Sequence, residues 1–371
     1  MSSLYVHFPW CIRKCPYCDF NSHPVRGSLD EASYIDALIA DAGVALANLP
    51  AGSIATVFLG GGTPSLFSAA SMERLFAMVR PWLARDAEIT MEANPGTTEH
   101  HDLAAYGAAG INRLSFGAQS FDDTQLKRLG RIHSAAETRA AYQRARKAGF
   151  KRINLDLMYA LPRQTVNAAV ADLEAALALE PDHISWYQLA LEPKTPFGER
   201  PPRLPGESAV IRMESVGHER LVAAGFSRYE VSAWARPDQA CQHNLNYWTF
   251  GDYVGIGAGA HGKRSQREGD RVSVTRTTKA SQPRLYLAAP TETRQQVVES
   301  SALVLEFLMN ALRLTAGVTF ARFESVTGLP RSALEPAWSR GVATGLLLPE
   351  RLAATEAGRR YLDGVLRLFI D

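Results

Sequence analysis

Short apolar runs recur along the first 225 residues, each closing on a Gly, Pro or polar turn and each followed by a helical pattern. The runs are Leu4–Phe8, Thr56–Leu59, Glu88–Glu92, Arg113–Phe116, Ile153–Met158 and Ile184–Leu189. Helical periodicity fills 30–48, 71–84, 99–109, 122–129, 134–148, 164–179 and 207–224. Strands alternating with helices predict βαβ units on a parallel sheet. Six such units in series, linked by right-handed crossovers, predict an α/β fold: a partial (β/α)6 barrel of the TIM type.

That topology gathers the C-terminal ends of the strands on one rim, where barrel enzymes place their chemistry. The polar and Gly-rich segments fall at those ends: Pro9–Phe20, Gly60–Pro64, Glu92–Pro95, Gly117–Ser120, Asp156–Pro162 and Ala190–Pro193. Beyond residue 225 the rhythm changes. Ser227–Trp234 and Asp252–His261 are aromatic and Gly-rich, and 264–285 is polar enough for a hairpin or surface loop. Helical patterning returns in Ala302–Asn310, Phe320–Val326, Ser332–Thr344 and Glu356–Phe369, with Gly345–Thr355 placed like the wing of a winged helix. The expected organisation is a barrel over 1–225, an extension over 226–295 and a smaller α+β, winged-helix-like region over 296–371.

Composition narrows the functional classes. With 46% hydrophobic residues the chain can bury a large core. Forty Lys and Arg nearly balance 38 Asp and Glu, which gives no reason to expect nucleic acid as a partner. No leading basic-then-apolar stretch and no membrane-length apolar run occurs, so the expected compartment is the cytoplasm.

Three of the four cysteines lie within eight residues, as Cys11-Ile-Arg-Lys-Cys15-Pro-Tyr-Cys18; Cys241 stands alone. Clustered thiols suit zinc or iron–sulfur rather than a disulfide framework. Zinc would need a fourth ligand, for which His7, Asp19 and His23 are the candidates. Three cysteines on a cubane leave one iron open to a chelating cofactor. Gly60-Gly61-Gly62-Thr63 supplies a turn that a ligand can approach closely.

The C-x3-C-x2-C spacing resembles the radical S-adenosylmethionine superfamily. Tyr5–Cys11, Phe58–Ser65, Glu92–Pro95, Leu114–Ser120, Arg131–His133 and Asn154–Pro162 are, in order, similar to the oxygen-independent coproporphyrinogen oxidase group. The resemblance implies a [4Fe–4S] cluster on Cys11, Cys15 and Cys18, and S-adenosylmethionine chelated to its open iron. Reductive cleavage to a deoxyadenosyl radical is the chemistry such a pair offers. Carried over, Tyr5 and Tyr17 lie beside the cluster and cofactor, and Gly62 and Thr63 meet the methionine part. Glu92, Gln119, Arg131 and Asp156 contact its polar groups, and Ala190 lies against adenine.

Two features separate this chain from catalytic members of the group. Phe20 stands where they carry a fourth cysteine, and the first strand begins at about Leu4, without their N-terminal extension. Cys241-Gln-His243-Asn244-Leu-Asn-Tyr247-Trp248 is similar to a hallmark of the group's haem-chaperone branch. His243 is the candidate axial ligand, and Tyr247 and Trp248 are candidates for stacking on a porphyrin. The alternative for these residues is a structural role, and Cys241, His23 and His261 are weaker haem candidates. The resemblance thus implies a chaperone that passes haem to acceptors such as respiratory haem proteins and meets an electron donor. A membrane-bound acceptor would bring it to a membrane surface. The alternative is an enzyme: a coproporphyrinogen III dehydrogenase or another tetrapyrrole-modifying member.

Overall fold

A computed structural model describes residues 2–96, 102–269 and 271–370. Six strands pair in chain order: β1 (Ser2–Phe8), β2 (Ile54–Gly61), β3 (Leu83–Ala93), β4 (Arg113–Gln119), β5 (Arg152–Tyr159) and β6 (His183–Gln188). Every pairing between them is parallel. Helices α1 (Glu31–Ala45), α2 (Ala69–Val79), α3 (Leu103–Ala109), α4 (Asp123–Arg128), α5 (Ala135–Lys147), α6 (Val166–Leu177) and α7 (Glu207–Ala223) supply the crossovers. This is the expected partial barrel. Of the 99–109 helix, residues 99–101 lie outside the described residues. The 71–84 helix ends earlier than its periodicity suggested, because Pro81 stops it and Leu83 already opens β3.

The sheet does not close on itself. β1 pairs on its free side with β9 (Tyr253–Ile256), and β6 pairs antiparallel with β8 (Ala233–Ala235), itself paired to β7 (Ser227–Arg228). From β9 the sheet continues through β10 (His261–Glu268), β11 (Arg271–Thr278) and β12 (Arg294–Val297), giving twelve strands among the described residues. The 226–295 stretch, read as lacking regular alternation, therefore extends both edges of the barrel sheet. Its 264–285 part is largely the β10–β11 hairpin. A second apolar core joins Phe250 and Val274 to Leu303, Phe307, Phe323, Trp338 and Leu352 of the C-terminal region. There α9 (Ser300–Ala311) and α10 (Phe320–Thr327) match the expected helices. The 332–344 helix is interrupted at Pro336, and 345–355 folds back through a Leu347–Ala354 bridge. No described helix is long and apolar enough to cross a membrane.

Strand register sorts side chains by parity. On one face Leu4, Val57 and Ile89, then Val6, Leu59, Met91, Leu114 and Ile153, are buried in the main core. The other face is polar: Ser3, Thr56 and Glu88; Thr90, Arg113 and Arg152; Ser115, Asn154 and His183. A polar face inside a fold must be satisfied internally. At its lower end the segment from Gln239 through α8 (Gln242–Trp248) does this and forms a floor. Glu88 Oε1 accepts from the backbone N–H of Gln242 (2.9 Å) and His243 (3.2 Å), and Glu88 Oε2 faces Arg152 at 3.0 Å. Arg113 and Arg152 donate in turn to the carbonyls of Gln239 and Ala240. Replacing Glu88 with Ala removes the carboxylate from a buried guanidinium, Arg113, and a part-buried one, Arg152, so we expect a loss of about 3 kcal/mol in denaturant unfolding.

Candidate functional site

At the opposite end of the strands lies a cavity of about 390 Å³. Its lining includes the three clustered cysteines, Tyr17, Gly62, Thr63, Glu92, Gln119, Arg131, Asp156 and Ala190. These come from all the rim segments, and the barrel topology is what brings them together.

The cysteine loop is tied down at several points. His23 and Val25 donate backbone N–H groups to the carbonyls of Pro9 and Cys11, closing a two-stranded ribbon of Trp10–Cys11 and His23–Pro24. Asn21 donates to the carbonyls of Ala258 and Ser281, anchoring the loop to the extension. Gly130 has φ of 69°, and a Cβ there would sit 2.8 Å from Pro16, so glycine lets the loop pack against the segment carrying Arg131. Each sulfur has a hydroxyl or guanidinium neighbour: Thr63 Oγ1 is 3.4 Å from Cys11 Sγ, Arg131 Nη1 3.6 Å from Cys15 Sγ, and Ser22 Oγ 3.9 Å from Cys18 Sγ. Burial pushes the Cys11 and Cys18 thiols up, against the hydrogen bonds that favour their thiolates.

Of the candidate fourth ligands for zinc, Asp19 lines the cavity with the cysteines, while both histidines are engaged elsewhere. His7 bonds Tyr5 OH through Nδ1 (3.0 Å) and the Asn21 carbonyl through Nε2 (2.8 Å). His23 Nε2 is engaged with Asn21 Oδ1. Among the described residues no three His, Cys, Asp or Glu side chains gather as a site for a single ion.

Around the thiols the walls are polar and fixed. Arg131 Nη2 donates to the Gly117 carbonyl at 2.8 Å. Gln119 has φ of 66° and accepts from Tyr187 OH at 2.8 Å. A left-handed glutamine is strained backbone at a ligand-facing position. Glu92 Oε2 accepts from the Gly61 N–H at 3.0 Å, and a Cβ on Gly60 would lie 3.1 Å from that carboxylate. Burial, followed by repulsion from Asp156, raises Glu92 to about 7. Burial likewise raises Asp156, opposed by hydrogen bonds from Ser185, Asn154 and Ser115. Two desolvated carboxyl groups facing one cavity suit a ligand that brings positive charge and hydroxyl donors.

Some expected residues lie elsewhere. Tyr5 is not on the cavity wall: it stacks on Phe58 and reaches the cysteine loop only through His7. His243, Tyr247 and Trp248 lie in the floor helix. His243 is 2% exposed, its Nδ1 is 2.8 Å from Thr56 Oγ1, and its ring packs against Phe58 and Tyr247. Thr56 donates its own proton to Ser3, so His243 carries its proton on Nδ1, and its buried Nε2 has no partner. Cys241 is a buried thiol against Glu88, pushed up to about 12. His261 is exposed on β10, away from the cavity. Phe20, by contrast, lines the cavity with 60% of its surface exposed. Ser115 and Met158, inside the quoted motifs but given no role there, and Tyr187 also line it. Their signal was strand parity, since all three share the polar face with Asp156.

Residues 5–176 match the radical SAM superfamily. Heme chaperone HemW of Escherichia coli K12 is 45% identical, over 99% of this chain and 98% of its own length. The proteins of that name from Haemophilus influenzae and Bacillus subtilis are 43% and 32% identical, over 99% and 92% of this chain and 97% and 91% of theirs. Among solved structures, coproporphyrinogen III oxidase (HemN) from E. coli superposes with a TM-score of 0.80. At 23% identity, over 99% of this chain and 89% of that one, the likeness concerns the fold.

Glu92 generates a pH prediction for the cofactor-free protein. Its ordinary pKa of 4.5 is about 7 in the folded state, so folding takes up a proton between those values. Wild-type stability should fall as pH rises through that window, a loss that Glu92→Gln escapes. At pH 8 the variant should be more stable by roughly 1–2 kcal/mol, allowing for screening by cavity water, and the difference should vanish below pH 4.5. Thermal unfolding across pH 4–8 measures it.

Proposed function

The chain belongs to the heme chaperone HemW family within the radical SAM superfamily, and from that premise we propose that it binds haem and hands it to acceptor haem proteins. The observation that carries the reading is identity of 45% over 99% of the chain to a relative named for that role. Phe20 supports it: a bulky, exposed phenyl on the cavity lip replaces a position where the catalytic relatives are expected to carry a thiol. The proposed compartment is the cytoplasm, with acceptors there or at a membrane surface.

Radical SAM membership implies a [4Fe–4S] cluster and S-adenosylmethionine. The residues fit both groups. Cys11, Cys15 and Cys18 would hold the cluster: three soft donors on one cavity wall, each beside a polar group able to stabilise bound sulfur. Together the two groups supply one-electron chemistry at a sulfonium. The protein's part is to bind and orient. Gly61 and Gly62 keep the turn open, since a Cβ at Gly62 would lie 2.5 Å from the Trp10 carbonyl oxygen. Glu92 and Asp156 offer acceptors to ammonium and hydroxyl groups, and Gln119 is held for hydrogen bonding by Tyr187. Arg131, fixed on Gly117, offers a guanidinium to a carboxylate. Tyr17 and Ala190 give the apolar walls. Tyr5 would act through His7 on the loop.

His243 is the candidate axial ligand on chemical grounds. Its proton sits on Nδ1, as for an imidazole that ligates iron through Nε2. Reaching haem requires α8 to leave the floor.

Two experiments test these assignments. After anaerobic reconstitution with iron and sulfide, Cys15→Ala should lack the cluster absorption that the wild type shows. Haem titration of the wild type should give a saturable Soret change, followed by transfer to an apo-acceptor. Protoporphyrinogen formation from coproporphyrinogen III at enzyme-like rates would overturn the chaperone reading. His243→Ala should lose the wild-type Soret spectrum, and an unchanged spectrum and affinity removes His243 from the haem site.

A further inference from the structure

Between the floor and the cavity, buried and part-buried polar side chains follow one another without a gap. Asn244 Nδ2 donates to Tyr229 OH at 3.2 Å. Tyr229 OH lies 2.9 Å from His183 Nε2, and His183 Nδ1 lies 2.6 Å from Asn154 Oδ1. Asn154 Nδ2 donates to Asp156 Oδ1 at 2.8 Å and to Ser115 Oγ at 2.8 Å.

The proton positions follow from the chemistry of the ends. Asp156 and Ser115 fix which end of the Asn154 amide is nitrogen, so its oxygen must accept. His183 therefore carries its proton on Nδ1 and accepts at Nε2 from the Tyr229 hydroxyl, leaving the Tyr229 oxygen to accept from Asn244. His183 is 2% exposed, and burial, with Arg113 and Arg152 nearby, holds its pKa well below the ordinary value, as a neutral ring requires. Every donor thus points from the floor towards the cavity carboxylate.

We propose that Asn244, Tyr229, His183 and Asn154 are positioning residues for the cofactor cavity, forming a one-directional hydrogen-bond relay that locks the Asp156 carboxylate and ties it to the floor segment. Buried hydrogen bonds in series polarise one another, so the far end is felt at the carboxylate. The floor motif then has a task at the cavity that does not depend on touching any ligand. The inference rests on the reading that Asp156 serves S-adenosylmethionine.

Two readouts test it. The first is the titration of Asp156 in the unloaded full-length protein, followed by carbon NMR of aspartate labelled at Cγ, with Asp156→Asn assigning the resonance. Glu92, Arg131 and Tyr187 face this carboxylate from the cavity side, and His183, Arg113 and Arg152 lie towards the floor. Asn154→Ala and Tyr229→Phe leave all of these except the relay bond in place. Both should raise the Asp156 midpoint, Asn154→Ala the more. The second readout is S-adenosylmethionine affinity of the cluster-reconstituted protein by calorimetry. It should weaken about tenfold in Asn154→Ala and about two- to fivefold in Tyr229→Phe. Tyr229→Phe removes one oxygen, and it decides the question if Asn154→Ala does not fold. Midpoints and affinities at wild-type values in folded variants overturn the relay. A wild type that binds no S-adenosylmethionine retires the cofactor reading instead, and the NMR titration still judges the relay.

Discussion

The cavity and its floor follow from six barrel strands whose sheet is apolar on one face and largely polar on the other, with both faces covered. The apolar face is ordinary: Leu4, Val57, Ile89, Leu114 and Ile153 pack under helices and drive folding. The polar face is the constraint. Buried donors, acceptors and charges each cost several kcal/mol unless paired, so the inner face demands a partner along its whole length. At the lower end that partner is the segment 239–248. Its backbone is threaded onto Glu88, Arg113 and Arg152, and the N-terminal N–H groups of α8 find their acceptor in a carboxylate from β3.

At the upper end the same face is left incompletely satisfied. Glu92 and Asp156 are desolvated, and Arg131 is already held by Gly117 and directed to Cys15. Keeping carboxyl groups short of counter-charge costs stability, a cost that a cationic, hydroxyl-bearing ligand would relieve. The floor and the cavity thus face one problem, which is met internally below and left open to a ligand above. The chain of bonds through His183 and Asn154 joins them.

The residues that hold this together differ in how visible they are along the chain. Spacing alone made the three loop cysteines and the Gly60–Thr63 turn legible, because a cluster and a close backbone approach need particular residue types at short range. Periodicity likewise revealed the six strands and their helices, since side-chain burial imposes periods of about 2 and 3.6. The 226–295 extension was legible only as far as its hairpin. Its strands β7, β8 and β9 are two to four residues long, and β9 and β8 take their partners from β1 and β6, far away in sequence. The α8 segment looked like a haem-facing motif because His, Tyr and Trp together suggest one. Only packing shows that His243 is pinned on Thr56 at the lower end of the polar face and that Tyr5 reaches the cysteine loop through His7.

The sequence by itself determined the fold class, the family and the strand ends from which the cavity is built, because local spacing and strand ends carry that information. The tertiary structure alone decided which polar residues satisfy one another. His183 and Tyr229 are ordinary in sequence and Asn154 is visible only as the start of a motif, and only the register of β4, β5 and β6 and the return of the chain beneath them align their donors on Asp156. Hydrogen bonds act over about 3 Å in space, and nothing in chain separations of 29 or 46 residues encodes that proximity.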